Sequence, residues 1–416
     1  MLKEINQLIT TSKWVLLVIL KLPLYLLASI AVISIRLVRP WCLIRVGGLF
    51  SHRIGHLAAN TELYLCERDV GINLPTQRHV DLFYVVKPIS NYELVNKWRP
   101  MLRIWPTWFL GPIKRVNRLI PGWASYEVGE NTQSDRDIHH LLERLPLHLK
   151  FSSEEEYRGK EGLIALGIES GARFVCLLGR DSAYLKSHEP SVDYSYHDYR
   201  DCEIENFVMA AEELAKRGYY VIRMGVVVKK AMQSTNPKVI DYAAKGLRTE
   251  FMDLYLGAKC EFCVSVGSGF DAIPYIFRRP IVFVNHVPIG YLFTFEDRFI
   301  GLTKHHFSVN LRKFLTLQEI FSENVGYVSN GSMYALNGVK LIENSPEEIK
   351  DIVIEMVERL DGTWESHPDD EMLQDKFRSI FKSNVLQNGE QLHGDIQSRY
   401  GASFLRNNRW WLETMM

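Results

Sequence analysis

The stretch CEFCVSVGSGFDAIPYIFRRPIVFVNHVP, residues 260–288, is the part of the sequence that indicates the fold most clearly. Cys260–Val266 is apolar and rich in β-branched residues, which predicts a strand covered on both faces. Gly267-Ser268-Gly269 predicts a turn that opens a helix at Gly269–Phe277, and Pro280–Asn285 predicts a second buried strand. The first amides of a helix lack partners and lie at its positive end, so this turn predicts a phosphate or diphosphate site. The alternative is a tight turn that binds no ligand.

Strands and helices alternate through the segment before this stretch. We predict strands at Arg173–Leu178, Tyr219–Met224 and Val239–Tyr242, and helices at Glu203–Arg217 and Glu250–Ala258. Parallel neighbours need crossover connections, so this alternation predicts a parallel sheet with helices on both faces. In such sheets the ligand lies beyond the carboxyl ends of the strands.

The residues at those strand ends form the predicted ligand site. A guanidinium group such as that of Arg180 binds phosphate bidentately, and with helix amides it can stabilise a leaving phosphate without a metal ion. We therefore predict no metal and no cofactor, with Arg200 and Asp201 as further candidates. The predicted binding residues are Arg180, Arg223, Gly225, Asp241, Ser265, Gly267, Ser268 and Gly269.

Two residues compete for the role of general base. A histidine or carboxylate suits proton abstraction near neutral pH. His52 and His56 lie in a glycine-punctuated turn of the N-terminal half, and His56 would face the crevice if two α/β domains oppose each other. Asp181, directly after Arg180, is the competitor. Both are predicted catalytic residues.

The N-terminal segment is apolar from Trp14 to Val38. About 20 apolar residues suffice to span a bilayer, and Lys21 lies near one end, where it can snorkel. We predict a membrane anchor that either spans once or forms a hairpin or monotopic insert bent at Pro23. The alternative is a buried helix of a soluble domain. Positive charge at both ends leaves its orientation open.

Composition and length narrow the class of protein. The chain has 416 residues, which predicts two domains, and its 49 basic residues balance 49 acidic ones. This balance gives no support for nucleic-acid binding, which needs a basic excess. Six scattered cysteines favour a reducing compartment, and Cys260 and Cys263 are predicted core residues because no second pair stands at zinc spacing.

The first half is less legible than the second. Strands are predicted at Trp41–Val46 and His79–Val86, with a weaker one at Met101–Ile104, whereas Ile54–Leu65 is compatible with helix or strand. The remaining predicted helices are Asp135–Leu149, Ser152–Gly167, Pro346–Leu360 and Asp369–Lys382. The predicted domains are an anchor at 1–40, an N-terminal α/β acceptor domain at 41–150, a C-terminal α/β nucleotide-sugar-binding domain at 151–370 and a helical tail at 371–416.

Several of these segments together resemble a family of bacterial glycosyltransferases found among surface-polysaccharide genes. The matching segments are YRDCEIENFVMAAEELAKRGYYVIRMG (199–225), VIDYA (239–243), the block 250–288, FLTLQEIF (314–321) and RIGHLAANTELYL (53–65). The resemblance implies a GT-B-like pair of Rossmann-type domains facing a cleft, arranged as in heptosyl- and fucosyltransferases, with the donor in the C-terminal domain. The chain departs from the family pattern in having Leu178 where the family tends to have a histidine, and Asp201 where it tends to have asparagine.

The expected function is that of a metal-independent glycosyltransferase. It would move a sugar from a nucleotide-sugar donor to a glycan or lipid-linked acceptor in surface-polysaccharide biosynthesis, at the cytoplasmic face of the bacterial inner membrane. Confinement of enzyme and acceptor to one surface raises their effective concentration. The alternatives are a nucleotide-sugar epimerase and a catalytically inactive sugar-binding or scaffold subunit. The missing histidine before Arg180 is the feature that keeps the inactive alternative open.

Overall fold

The computed structural model describes residues 22–128, 135–188, 192–385 and 392–414. The chain divides into two compact units, Met1–Ser134 and Asp135–Met416. The division thus falls before the predicted boundary at 150, and the predicted tail 371–416 lies within the second unit. Each unit is described by itself.

The first unit is built on two parallel strands. Leu43 pairs with His79 and Leu49 with Val85, and single bridges from Val46 to Glu127 and from Phe83 to Ile104 extend the sheet on both sides. The segment predicted as a weaker strand therefore contributes only one bridge, and the ambiguous segment is a helix. The elements are α1 (22–38), β1 (Leu43–Leu49), α2 (Ile54–Val70), β2 (His79–Val85), α3 (Tyr92–Trp98) and α4 (Thr107–Asn117).

A buried ion pair joins the two strands. Arg45 and Asp81 are opposite each other in the sheet, and their side chains form two hydrogen bonds of 2.7 and 2.6 Å. The Tyr64 hydroxyl of α2 donates to the same carboxylate at 2.6 Å. Because all three groups are buried, each depends on the others to offset its lost hydration.

The helix α1 contains the described part of the predicted anchor; residues 14–21 lie outside the described residues. Ala28 and Val32 pack against Leu110 and Ile113 of α4. Within the described part of the chain, no helix combines the length and apolar character needed to cross a membrane.

The second unit contains a parallel sheet of seven strands in the order β12-β8-β7-β6-β3-β4-β5. The strands are β3 (Phe174–Leu177), β4 (Tyr220–Arg223), β5 (Val239–Asp241), β6 (Cys263–Ser265), β7 (Ile281–His286), β8 (Phe299–Thr303) and β12 (Arg399–Tyr400). A smaller antiparallel sheet has the order β10-β9-β11, with β9 (His305–Ser308), β10 (Lys313–Phe314) and β11 (Val339–Ile342). The prediction of a parallel sheet covered by helices is confirmed for this unit.

Helices connect and cover these strands. They are α5 (Leu141–Arg144), α6 (Ser153–Ala165), α7 (Ala183–His188), α8 (Val208–Lys216), α9 (Glu250–Lys259), α10 (Ala272–Ile276), α11 (Leu317–Ser322), α12 (Gly331–Leu336), α13 (Pro346–Asp361), α14 (Asp370–Val385) and α15 (Ala402–Asn407). Short 3₁₀ turns stand at Ser195–Arg200, Ile204–Phe207 and Gly269–Asp271, the first two before α8 and the third before α10. Both α6 and α13 begin with a capping box, as their sequences predict.

The prediction of a long helix over 135–149 is wrong. Only Leu141–Arg144 is helical, because His140 has a positive φ of 52° and Pro146 follows directly on the last turn. The carboxylate of Asp137 accepts the amides of Leu141 and Leu142 and so starts the short helix. The predicted strand at 260–266 is also shorter, since Cys260 still caps α9.

The C-terminal segment completes the core of this unit. β12 pairs with β8 at the edge of the sheet, and Tyr400 is fully buried with its hydroxyl 2.9 Å from that of Thr303. Cys260 and Cys263 are also fully buried, and all six cysteines are free thiols. These two cysteines therefore lie in the core, as predicted.

Candidate functional site

The order of strands in the second unit defines a topological switch point between β3 and β6. The chain builds outward from β3 through β4 to β5, then returns to the other side of β3 with β6 and continues through β7 and β8. This is the 3-2-1-4-5-6 order of doubly wound nucleotide-binding sheets, in which the ligand lies at the carboxyl ends of the strands where the order reverses. The turns after Leu177 and Ser265 therefore flank the candidate site.

The turn after β6 is held by a buried carboxylate. Asp271 accepts the Ser268 amide at 2.6 Å and the Ser265 hydroxyl, and the Ser268 side chain in turn caps the Asp271 amide. The hydroxyl of Ser265 is thus committed to the turn and is fully buried. Gly267 has a φ of 78°, and a Cβ at this position would lie 2.7 Å from the His286 ring at the end of β7. Only glycine fits here.

Burial shifts the pKa values of two side chains beneath the turn, those of Asp271 and His286. Desolvation raises the pKa of Asp271 to about 7, although Ser265 and the Ser268 amide oppose the shift. Desolvation, together with the charges of Arg200 and Arg136, lowers the pKa of His286 to about 3. Both groups are consequently held in their uncharged forms more strongly than in water.

These two shifts affect stability in opposite senses. The raised pKa of Asp271 favours the folded state at low pH, and this contribution is lost as the pH rises from 3.8 through about 7. The lowered pKa of His286 favours the folded state above pH 6.5, and this contribution is lost as the pH falls toward 3. Between about pH 4 and pH 6.5 the changes of the two contributions with pH are opposite in sign and largely cancel.

Basic side chains gather around the two turns. The Arg200 guanidinium donates to the carbonyl oxygen of Gly267. From the other turn, Arg180 donates through Nη1 to the His197 carbonyl at 2.9 Å and to Asp201 at 2.7 Å. Lys304, directly after β8, donates to the backbone carbonyl of Asp201 at 2.5 Å. Three cationic groups therefore lie at the carboxyl ends of β3, β6 and β8.

Burial disfavours the charged forms of two residues in this cluster, Lys304 and Asp201. Desolvation lowers the pKa of Lys304, although the nearby carboxylate of Glu343 favours its protonated form. Desolvation also raises the pKa of Asp201, against the effect of Arg180 and Lys229. An anion that entered here would meet cations whose hydration has already been removed in part, and it would interact with them more strongly than in water.

Asp181 has a structural role in the turn after β3. One carboxylate oxygen accepts the Ala183 amide at 2.8 Å and the other accepts the Lys229 amide at 2.9 Å. The side chain thus joins its own turn to the loop after β4. His56, the other predicted base, lies in the first turn of α2 with Nδ1 3.1 Å from Asn60 Oδ1.

Arg223, Gly225 and Asp241 lie farther from the switch point, at the ends of β4 and β5. Arg223 is 1% exposed and donates to Asp241 at 3.0 Å and to the Lys230 carbonyl at 2.5 Å. Asp241 also accepts the Met232 amide at 2.6 Å. These residues organise the loop after β4, so their contacts are those of a buried structural ion pair. Gly225 is pressed against Val228 and Ala243, and a Cβ there would lie 3.0 Å from the former.

Sequence reasoning missed three residues of this site and gave a fourth only secondary weight. His286 is the last residue of β7, and Lys304 directly follows β8. The rule that ligands lie at the carboxyl ends of strands could therefore have identified both residues if β8 had been predicted. Asp271 stands three residues after Ser268, which is the spacing of a capping box. Arg200 was a secondary candidate, and only its contact with Gly267 shows that it belongs here.

The second unit is therefore a doubly wound α/β domain. No protein-family model matches the chain, and no curated protein does. Solved structures similar to it include a glycosyl transferase of family 9 from Veillonella parvula, with 14% identity and a TM-score of 0.42 over 77% of this chain and 97% of that one. ADP-heptose lps heptosyltransferase II of E. coli has 13% identity and a TM-score of 0.35 over 57% of this chain and 84% of that one.

A third similar structure is the iron-containing dodecameric glycosyltransferase TibC from E. coli. It has 11% identity and a TM-score of 0.29, over 59% of this chain and 60% of that one. All three are glycosyltransferases, the class to which the sequence resemblance pointed. Similarity at this level carries no argument about activity, so the function is argued from the chain's own residues.

Proposed function

We propose that the chain is a glycosyltransferase that binds a nucleotide-sugar donor at the switch point of its second unit. The observation that carries this proposal is the cluster of Arg180, Arg200 and Lys304 at the carboxyl ends of β3, β6 and β8. A donor diphosphate is the ligand that this charge and this fold suit best. The acceptor is a glycan or lipid-linked sugar of surface-polysaccharide biosynthesis.

The geometry of Arg180 supports phosphate binding. Its hydrogen bonds to His197 and Asp201 both leave from Nη1. Within the described part of the chain, neither Nε nor Nη2 has a hydrogen-bond partner, so the edge that they form can make a bidentate contact with a phosphate oxygen pair. As the glycosyl bond breaks, negative charge grows on the leaving diphosphate, and fixed cations stabilise that charge without reorganising. The transfer is proposed to need no metal ion.

The general base is proposed to be His56. Both oxygens of the competing Asp181 already accept backbone amides, and proton abstraction would compete with those bonds. The location is proposed as the cytoplasmic face of the bacterial inner membrane, with the N-terminal segment as the anchor. Separation of membrane and soluble fractions from cells expressing the full chain tests that location.

Donor binding can be tested by titration with nucleoside diphosphates and nucleotide sugars, followed by thermal shift and calorimetry. Removing the charged contacts of Arg180 should cost about 1.5–3 kcal/mol. The dissociation constant should thus rise about tenfold to a hundredfold in Arg180→Ala. Arg180→Lys should fall between, because it keeps the charge and loses the bidentate fork. The matched control is Arg217→Ala, which removes an exposed arginine paired with Glu213.

The outcomes separate the alternatives. Turnover that needs an acceptor and persists in a chelator supports the proposal. Conversion of the donor without an acceptor identifies an epimerase instead. Binding without turnover for any acceptor identifies a sugar-binding subunit, and no stabilisation by any nucleotide ligand at millimolar concentration contradicts the donor site altogether.

A further inference from the structure

The outer face of α1 is an exposed apolar stripe. Leu22, Leu26, Ile30, Ile33 and Leu37 follow one another at spacings of four or three residues, so they lie on one face of the helix. Each exposes between 56% and 69% of its surface. Contiguous apolar surface of this kind on a folded protein marks an interaction site. We call these five residues the apolar stripe.

The opposite face of α1 is occupied by the protein itself. Ala28 and Val32 are 3% and 1% exposed and pack against Leu110 and Ile113 of α4. Tyr25 accepts a hydrogen bond of 3.1 Å from Arg115, which lies on the exposed face of α4. The helix is thus attached along one side, and whatever the apolar stripe contacts must approach from the other side.

Two exposed tryptophans accompany the stripe. Trp41, three residues after α1, is 75% exposed. Trp108, 66% exposed, lies seven residues before Arg115 and so shares a face of α4 with it. Tryptophan has an apolar body and a polar edge, which suits the boundary between water and lipid.

The charged residues of the chain segment that carries the stripe are all basic. Between Glu4 and Glu62 the sequence has no aspartate or glutamate. Arg36 and Arg39 lie at the C-terminal end of α1, with their guanidinium groups 4.6 and 5.2 Å from the centre of the Tyr126 ring. An anionic lipid surface would meet this combination of aliphatic side chains and arginines favourably.

We propose that the apolar stripe, with Trp41 and Trp108, is the surface by which the chain lies in the interface of an anionic lipid bilayer, with α1 parallel to the membrane plane. This inference rests on the membrane location given under the proposed function, and it specifies the surface and the orientation. The apolar run that begins at Trp14 continues in sequence into α1, so the lipid contact and the predicted anchor are contiguous along the chain. Because α1 is packed on α4, only its outer face reaches lipid.

Site-specific fluorescence on the full chain tests both surface and orientation. An environment-sensitive fluorophore is attached to a cysteine introduced by Leu26→Cys, Ile33→Cys or Leu37→Cys, in a background in which the half-buried Cys42 is replaced by serine. The control is Leu336→Cys, since Leu336 is 78% exposed on α12 of the second unit. Vesicles of phosphatidylcholine with phosphatidylglycerol should shift the emission to the blue at the three stripe positions and not at 336. Vesicles of phosphatidylcholine alone should give a smaller shift.

Quenchers held at known depths then give the orientation. An in-plane helix places the three fluorophores at a common depth, within about 5–10 Å of the headgroups. A helix that crosses the bilayer would instead separate positions 26 and 37 by about 16 Å, at 1.5 Å per residue. A graded depth therefore overturns the proposed orientation.

Introducing negative charge on the stripe provides a second readout. The double variant Leu26→Glu/Ile33→Glu should partition into anionic vesicles at least about tenfold more weakly, because it removes two aliphatic side chains that would be buried in lipid and adds charges that anionic lipid repels. Its melting temperature should be unchanged, since both positions are exposed, and Leu336→Glu should not alter partitioning.

Three results would overturn the proposal. The first is unchanged partitioning of the double variant. The second is blue-shifted emission from the stripe positions without lipid, which indicates that another segment of the chain covers the stripe, and the third is a blue shift that depends on protein concentration, which indicates that a second copy of the chain covers it. None of these readouts needs donor or turnover. A chain that binds vesicles but no nucleotide would contradict the proposed glycosyltransferase function and leave the proposed membrane surface in place.

Discussion

Replacing Gly267 by alanine should destabilise the second unit at its candidate site. The backbone of Gly267 has a φ of 78°, which costs an alanine about 1–2 kcal/mol. The new Cβ would also lie 2.7 Å from Cδ2 and 2.9 Å from Nε2 of His286. The imidazole is 4% exposed and packs against Phe283 and Phe293, with ring centres 5.6 and 6.1 Å away, so it has little room to move. Overpacking of this kind costs about 1–3 kcal/mol, which gives a total of about 2–5 kcal/mol.

A matched control isolates the contact with the imidazole. Gly171 belongs to the same unit and has a φ of 80°, and a Cβ there would meet no atom within 4 Å. Gly171→Ala therefore carries the backbone term alone, and Gly267→Ala should cost about 1–3 kcal/mol more. The measurement is the free energy of unfolding from urea titration of both variants. Combining Gly267→Ala with His286→Ala should recover part of the difference, as a double-mutant cycle would show.

Equal destabilisation by the two alanines would refute the steric reasoning. A separate result bears on the site: if Gly267→Ala remains folded and binds the donor with unchanged affinity, the turn after β6 does not contact the diphosphate. The wild-type chain and Gly171→Ala serve as references for that titration.

Two further predictions concern buried charge. Asp81→Ala leaves Arg45 buried without its carboxylate and should cost about 3–5 kcal/mol in urea unfolding of the first unit. Asp69→Ala removes an exposed ion pair and should cost less than about 1 kcal/mol; a similar loss from both would contradict the assigned burial. Between about pH 4 and pH 6.5, the unfolding free energy of Asp271→Asn should rise with pH relative to wild type by about 1.4 kcal/mol per unit, because it unmasks the titration of His286. The unfolding free energy of His286→Gln should fall with rising pH, relative to wild type, by a similar amount per unit. Plots of unfolding free energy against pH that run parallel to wild type would contradict both pKa shifts.

The architecture of the second unit was predictable because its central strands are largely apolar and are buried along their whole length. All residues of β3, β4, β6 and β7 are buried, and runs of that kind separated by helices have few alternatives to a parallel sheet. The order of the strands was not predictable in the same way. Uniformly apolar strands present similar surfaces to any neighbour, so their pairing depends on crossover packing that involves the whole unit.

The separation of the predicted site residues into those at the switch point and those away from it also lay beyond the sequence. Arg180 and Arg223 both stand at the carboxyl ends of buried strands, and both are paired with an aspartate. Their difference is positional. Arg180 follows β3, at the switch point, whereas Arg223 ends β4, one strand away from it, where its partner Asp241 is fully engaged by the loop. Residue type and position at a strand end are alike for both, and only the strand order distinguishes them.

The first unit was harder to predict because two segments join its sheet through a single β-bridge each and form no full strand. Ile104 contributes one bridge beside Phe83, and Glu127 contributes one beside Val46. Segments so short leave almost no periodic signal, since alternation needs at least four residues to be visible. The buried Arg45 and Asp81 weaken that signal further, because polar residues at core positions resemble a solvent-facing pattern.

A balanced overall charge conceals two local concentrations of positive charge in this chain. The formal charge is zero, which argues against a surface-wide field, yet the segment from Glu4 to Glu62 contains no acidic residue between its ends. At the switch point, Arg180, Arg200 and Lys304 share one strand-end region, where Arg180 contacts the Asp201 carboxylate and Lys304 contacts the Asp201 backbone carbonyl. Coulomb attraction falls off within a Debye length of about 8–10 Å at physiological salt. The proposed recognition of a diphosphate and of an anionic membrane would therefore depend on these local groups, and net charge is a poor guide to either proposed partner.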